Sequence, residues 1–224
     1  MKRWRYIVLL GLGIAGCAYV YLHRQELGLA GTHSFEVGSG ANSELIANPS
    51  QPAHIIWQAV NRPKDGFKVE MPSDVKDIQI PSYNENGGTD QVNMIFSNPD
   101  ADTTFSVAWA DDPPVVRING RSPDHVLDMA RDDALARTQT SLVKETLSLP
   151  GGFPARDLVA RNAEGGMMDF RLIFAGDRLY MLTAAFPSMS ARREQDVARF
   201  FSSFKTSESP HIPESLPPAD APAQ

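Results

Sequence analysis

Met168-Asp169-Phe170-Arg171-Leu172-Ile173-Phe174-Ala175-Gly176-Asp177-Arg178-Leu179-Tyr180-Met181-Leu182-Thr183-Ala184-Ala185-Phe186 decides the fold class. Two runs rich in apolar, aromatic and β-branched residues, Met168–Phe174 and Leu179–Phe186, flank Gly176-Asp177. A two-residue Gly-Asp loop suits a type II′ turn, because glycine takes the positive φ required at its first position. The spacing therefore predicts an antiparallel hairpin. Upstream, Gly165-Gly166 separates it from a run at Ala155–Arg161, which follows one at about Ser141–Leu149. Four consecutive strands are expected. Downstream, Ser188–Ser190 is expected to introduce a helix in which Val197, Phe200, Phe201 and Phe204 recur at i, i+3, i+4 and i+7. That spacing makes one apolar face.

Further out, Ser122-Pro123-Asp124 is a helix start: an N-cap residue, proline at the first helical position and an acid in the first turn. Val126, Leu127, Ala130 and Ala134 form a stripe, with Asp128, Arg131, Asp132 and Arg137 off it, so the helix is expected to run to about Thr138. Before it, Gly66–Met71 alternates apolar with polar and stops at Pro72, and Val75–Ile80 stops at Pro81. Val92–Phe96 and Thr103–Ala110 read as paired strands, and Asn84–Asp90 as a loop. Ile55–Val60 reads as a short strand or a helical turn with Trp57 towards the core. Strands, helix, strands, helix, with hairpin turns, define an α+β domain: a mainly antiparallel sheet packed by helices.

Four stretches carry a family resemblance. They are Gly66-Phe67-Lys68-Val69-Glu70-Met71-Pro72, Pro150-Gly151-Gly152-Phe153-Pro154-Ala155-Arg156-Asp157, Arg171–Tyr180 and Ala198-Arg199-Phe200-Phe201-Ser202-Ser203-Phe204-Lys205. From Gly66 to Lys205 the chain resembles the PsbP-type superfamily, which includes the Ran-binding Mog-type proteins. More narrowly, it looks like an uncharacterised bacterial secreted branch. The resemblance implies an antiparallel sheet sandwiched by helices, an α/β/α sandwich, in a binding, assembly or accessory subunit. Its motifs are strand starts, turns and a helix face. None is catalytic, and no metal-binding residue of the photosynthetic members maps here.

The amino terminus has a different chemistry. Lys2, Arg3 and Arg5 precede an uncharged run from Tyr6 to Leu22, and no acid occurs before Glu26. That is the charge pattern of an export or anchor segment whose basic end stays in the cytoplasm. Trp4–Leu22 as one helix would span about 28 Å, near the thickness of a hydrocarbon core. Alternatively, Ile14-Ala15-Gly16-Cys17 resembles a bacterial lipobox, which makes Cys17 a lipidation candidate. Ile14 stands where Leu is usual, and Ala18–Leu22 stays apolar where a polar tether is normal. A third alternative is a plain cleaved signal, for which no Ala-x-Ala site stands out. The glycines of Gly11–Gly16 match the letters of a dinucleotide fingerprint but lie within this hydrophobic segment, not between a strand and a helix.

The organisation expected is therefore an anchor or lipoprotein signal at 1–24, a flexible linker at 25–53, a globular domain at 54–206 and a Pro-rich disordered tail at 207–224. The linker alternates Gly with Ser, Thr, Asn and Ala, and the tail carries five prolines. The net charge of −6 divides unevenly. Four of the 21 cations lie in Met1–Arg24, which leaves 17 against all 27 acids and a remainder near −10. An acidic domain argues against nucleic acid as a partner, since phosphate neutralisation needs clustered cations. It is also repelled by anionic head groups. The partners expected are the membrane, through the N-terminus, and an envelope protein. The localisation expected is the bacterial cell envelope, with the domain on the extracytoplasmic side.

A search for chemistry yields no catalytic, cofactor-binding or metal site. The one cysteine, Cys17, lies in the anchor, so a disulfide framework, a cysteine cluster or a thiol nucleophile in the domain is excluded. His23, His33, His54, His125 and His211 show no ligand spacing. Asn98-x-Asp100-x-Asp102 lacks the glycine of a calcium loop and reads as a hairpin loop. Asp111-Asp112 reads as a turn. Asp132-Asp133 are adjacent on a helix and do not face each other. Met167 and Met168 suit core packing better than a soft metal. Arg117, Arg121, Arg156, Arg171 and Arg178 could converge on an anion only through the fold. The leading reading is a membrane-tethered extracytoplasmic binding or assembly module without chemistry or cofactor of its own. A hydrolase-like enzyme whose Asp and Arg residues meet only in three dimensions, and a cell-envelope structural or stress protein, are the alternatives.

Overall fold

The computed structural model describes residues 55–83, 89–111 and 122–207. The expected anchor with Cys17, the expected linker, residues 208–224 of the expected Pro-rich tail, Asp112, Arg117, Arg121 and every histidine except His125 lie outside them. Among the described residues no helix is long and apolar enough to cross a membrane.

The described residues hold ten strands and two α-helices, in chain order β1 (Trp57–Arg62), β2 (Phe67–Pro72), β3 (Lys76–Tyr83), β4 (Thr89–Ser97), β5 (Thr104–Asp111), α1 (Pro123–Thr138), β6 (Thr140–Ser148), β7 (Ala155–Asn162), β8 (Met167–Ala175), β9 (Arg178–Phe186), α2 (Glu194–Ser203) and β10 (Lys205–Thr206). The α+β class expected from periodicity holds. All pairings are antiparallel, and they form two sheets. A seven-stranded sheet runs β3-β4-β5-β9-β8-β7-β6, and a three-stranded sheet runs β1-β2-β10.

The hairpin at Gly176-Asp177 forms as read. Ala175 pairs with Arg178, and Gly176 takes φ 63°. β8 and β9 lie inside the sheet and bury apolar side chains on both faces, so each face carries its own core. On one face α1 lays Val126, Leu127, Ala130 and Ala134 against Leu158, Ala160, Met168, Phe170 and Leu172. On the other, the small sheet and α2 bury Phe67, Val69, Met71, Phe200, Phe201 and Phe204 against Phe105, Val107, Trp109, Tyr180 and Leu182. Phe67 is the hub of this second core, with ring centroids 5.1 Å from Trp109, 5.9 Å from Tyr180 and 5.6 Å from Phe204. Such pairs contribute roughly 0.5–1.5 kcal/mol each beyond area burial.

Four local expectations are corrected. Ile55–Val60 resolves into a strand that starts at Trp57, whose ring is half-buried and edge-on to Phe105 at 5.6 Å. Thr89 and Asp90, read as loop, already belong to β4. Ser122 occupies the N-cap of α1, but its side chain makes no capping bond; Pro123 and Asp124 supply the start. Ser188 opens a turn, not a helix. Its Oγ accepts the Ala191 amide at 3.3 Å, and α2 begins at Glu194.

Candidate functional site

Among the described residues two surfaces stand out: a polar cleft at one end of the sheet packing and the outer edge strand β6. The cleft follows from where the small sheet stops. Gln79, Asn93, Trp109, Tyr180, Ile173 and Ala155 form one cross-strand row over β3, β4, β5, β9, β8 and β7. Residues opposite one another in antiparallel strands share a face. Trp109, Tyr180, Ile173 and Ala155 are buried in the second core. The row becomes polar at Asn93 and Gln79, beyond the small sheet's cover. A cleft of about 370 Å³ opens there, lined by Arg62, Asp65, Asp77, Ile78, Gln79, Asn93 and Trp109.

Arg62, at the end of β1, organises the cleft. Its Nε donates to Asp65 at 2.8 Å, and its Nη1 and Nη2 donate to the Asp77 carboxylate at 3.1 and 2.6 Å. Its guanidinium lies 5.6 Å from the Trp109 ring centroid. Burial works against its charge, but Asp77 and Asp65 outweigh burial and raise its pKa above the ordinary value. A guanidinium held by two carboxylates is a clamp between the two sheets. Gln79 Nε2 donates to Asn93 Oδ1 at 3.0 Å, a bond that uses neither Gln79 Oε1 nor Asn93 Nδ2. These groups can hydrogen-bond a polar ligand.

The candidates from sequence are placed as follows. Arg156, Arg171 and Arg178 do not converge, because each is committed to its own carboxylate. Arg156 meets Glu145 at 2.8 Å and Asp128 at 2.9 Å. Arg171 is bidentate to Asp157 at 2.6 and 2.7 Å. Arg178 pairs with Asp111 and donates to the Asp65 carbonyl. Asp132 pairs with Arg131, and Asp133 with Arg137 at 2.7 Å. Burial raises the Asp133 carboxyl above the usual range despite Arg137.

Asp100 caps its loop as expected, accepting the Asp102 and Thr103 amides at 3.0 and 2.7 Å. Burial opposes its charge, but Thr103, the Asp102 amide and Arg193 outweigh burial and hold its carboxyl below the usual range. Met167 and Met168 are buried, and His125 is exposed on α1. No group of three or more potential metal ligands occurs among the described residues.

The second surface is one that sequence reading missed. Among the described residues β6 is an outer strand, paired with β7 alone. Leu142, Val143 and Leu147 on it, and Leu149 just beyond, stay exposed; Leu147 and Leu149 each keep 69% of their surface. Leu142, Glu145 and Leu147 stand opposite Ala160, Leu158 and Arg156, which places them on the α1 side of the sheet. α1 meets β6 with its polar flank, where Arg131 reaches Glu145 at 3.2 Å. The leucines beside that ion pair are therefore left uncovered. The pairing shifts by one residue between Leu142 and Lys144, a bulge at Val143. The signal available in sequence was the run of apolar residues at both ends of Ser141–Leu149 with a charged pair in its middle.

No family model matches the chain, and no curated protein does. Among solved structures, it is similar to a cyanobacterial PsbP from Synechocystis, at 14% identity and a TM-score of 0.47, covering 75% of this chain and 98% of that one. A Pseudomonas aeruginosa protein of unknown function is similar at 14% identity and a TM-score of 0.35, covering 63% of this chain and 90% of that one. A Bacteroides thetaiotaomicron protein follows at 10% identity and 0.34, covering 63% and 45%.

Proposed function

We propose that the chain is a membrane-tethered extracytoplasmic binding or accessory module, without catalysis of its own, that works by protein contact along β6. The observation that carries this reading is the exposure of Leu142, Val143, Leu147 and Leu149 on and beside a strand edge that no described residue pairs. Edge strands present unused backbone donors and acceptors, and proteins ordinarily blunt them with charge or cover. A nine-residue edge that keeps its leucines in water fits a surface meant to be covered. The tether rests on the basic start and uncharged run of Met1–Arg24.

Two measurements test the reading. Mass spectrometry of the native N-terminus is expected to find either intact residues before Cys17 or a lipidated Cys17. An unmodified soluble chain starting after residue 25 would sink the tether. Affinity purification of the full chain from envelope membranes is expected to retain a specific protein that Leu147→Asp releases. Equal recovery with both chains would remove β6 from the reading.

A further inference from the structure

We infer that the protein at β6 is a second copy of this chain, paired edge to edge and antiparallel about a two-fold axis at Glu145. This rests on β6 being the contact surface, as proposed above. The register follows from which side chains share a face. Opposite residues of antiparallel strands point the same way. A two-fold axis perpendicular to the sheet therefore passes where a residue meets itself. With the axis at Glu145, Lys144 faces Thr146 of the second copy. Leu147 then faces the Leu142–Val143 bulge, two residues against one, the same shift by which the bulge already meets β7. Beyond it Ser148 faces Ser141, and Leu149 faces Thr140. The three exposed apolar side chains of the strand meet one another at two symmetric places.

Moving the axis one residue, to Lys144, destroys this match. It opposes Lys144 to itself, sets Glu145 against the bulge and leaves Leu147 against Thr140. At the Glu145 axis the two carboxylates do not meet bare. Each arrives with Arg156 Nη1 at 2.8 Å and Arg131 Nη1 at 3.2 Å. Charge at the centre and apolar contacts on both sides are thus self-complementary.

The symmetry also suits a tethered chain. An axis perpendicular to the sheet keeps each face on its own side, so both small sheets lie on one face of the joined sheet. The described chain enters through β1, in that small sheet. Trp57 of both copies then lies on the same side of the joined sheet, which suits two chains tethered to one membrane. Confinement to a surface raises the effective concentration, so a modest edge contact suffices.

The test uses the full chain. In membranes treated with a mild oxidant, Glu145→Cys is expected to give a disulfide-linked dimer well above the unaltered chain, which carries only Cys17. Arg161→Cys, exposed one strand inward on β7, is expected to give no such increase. Sedimentation of the unaltered chain in detergent, at concentrations on the order of 10–100 µM, is expected to show a doubling of mass that Leu147→Asp abolishes. A monomer throughout that range, or a dimer that persists in Leu147→Asp, overturns the proposal. Should the chain stay monomeric while Leu147→Asp still releases an envelope protein, β6 remains the binding surface and the second copy is the wrong occupant. Should Leu147→Asp change neither mass nor recovery, both readings fail.

Discussion

Gly66 shows how a single position is fixed by contacts over 100 residues away. It takes φ 73°, and a Cβ there would stand 2.7 Å from Arg178 Nη1 and 2.9 Å from the Tyr180 hydroxyl. Those groups pin the turn: Arg178 donates to the Asp65 carbonyl, and the Tyr180 hydroxyl reaches the same carbonyl at 3.1 Å. Gly66→Ala adds left-handed strain and displaces both, so it is expected to cost about 2–3 kcal/mol, read from denaturant midpoints. Asp169 makes the electrostatic counterpart. It is 3% exposed and held bidentately by Arg192 at 2.7 and 2.8 Å. Arg192→Ala would strand that carboxylate and is expected to cost about 3 kcal/mol or more. The double change Asp169→Leu with Arg192→Met is expected to recover much of the loss in the same melts, since a packed apolar pair can replace a buried ion pair. Gly66 was legible in the sequence as the head of a strand. The ion pairs were not: Arg192 lies 23 residues from Asp169, and Arg178 lies 67 from Asp111. No local spacing brings such partners together, and the same holds for Arg62 and Asp77, on which the cleft depends.

At the scale of elements, periodicity decided what was readable. The stripe Val126, Leu127, Ala130, Ala134 is the buried face of α1, and Val197, Phe200, Phe201 that of α2. Starts and stops were less legible where backbone geometry departs from residue preference. α1 ends at Gln139 in the left-handed region, φ 52°, a position that glycine usually takes. Gln139→Gly removes the Cβ penalty at a site that already has the conformation. It is expected to stabilise the fold by about 0.5–1 kcal/mol, measured as a rise in denaturant midpoint. A loss instead would mean that the Gln139 side chain holds the α1–β6 connection. β10 left no signal in the sequence because it is only two residues, Lys205 and Thr206, joined to β2. β6 was legible as a strand but not as an edge. Exposure depends on which neighbour pairs with it, and that is settled by the order of the whole sheet.

At the scale of the whole molecule, the division into two sheets was the part least available from sequence. β2 and β3 read as successive strands of one sheet. Asp74 between them takes φ 62°, and the chain passes from one sheet to the other at that bend. The Arg62–Asp77 clamp then ties the two sheets together. The centre of the large sheet is built from distant chain: β5 pairs with β9 from Thr104↔Ala185 to Asp111↔Arg178. Strands β5, β9 and β8 have neighbours on both sides and cores on both faces, whereas among the described residues β1 and β6 have one neighbour each. Opening the centre requires breaking both cores, so its free energy approaches that of global unfolding, while edges open alone. Hydrogen exchange on the full chain is therefore expected to be slowest in β8 and β9 and much faster at β1 and β6 when the protein is dilute. The two edges then separate by concentration. Raising the chain to the order of 10–100 µM is expected to protect those β6 amides that point away from β7 and to leave β1 unchanged, because only β6 gains a partner strand. Exchange at β6 that stays at the dilute rate across that range would show the edge still open to water, and would count directly against pairing between copies.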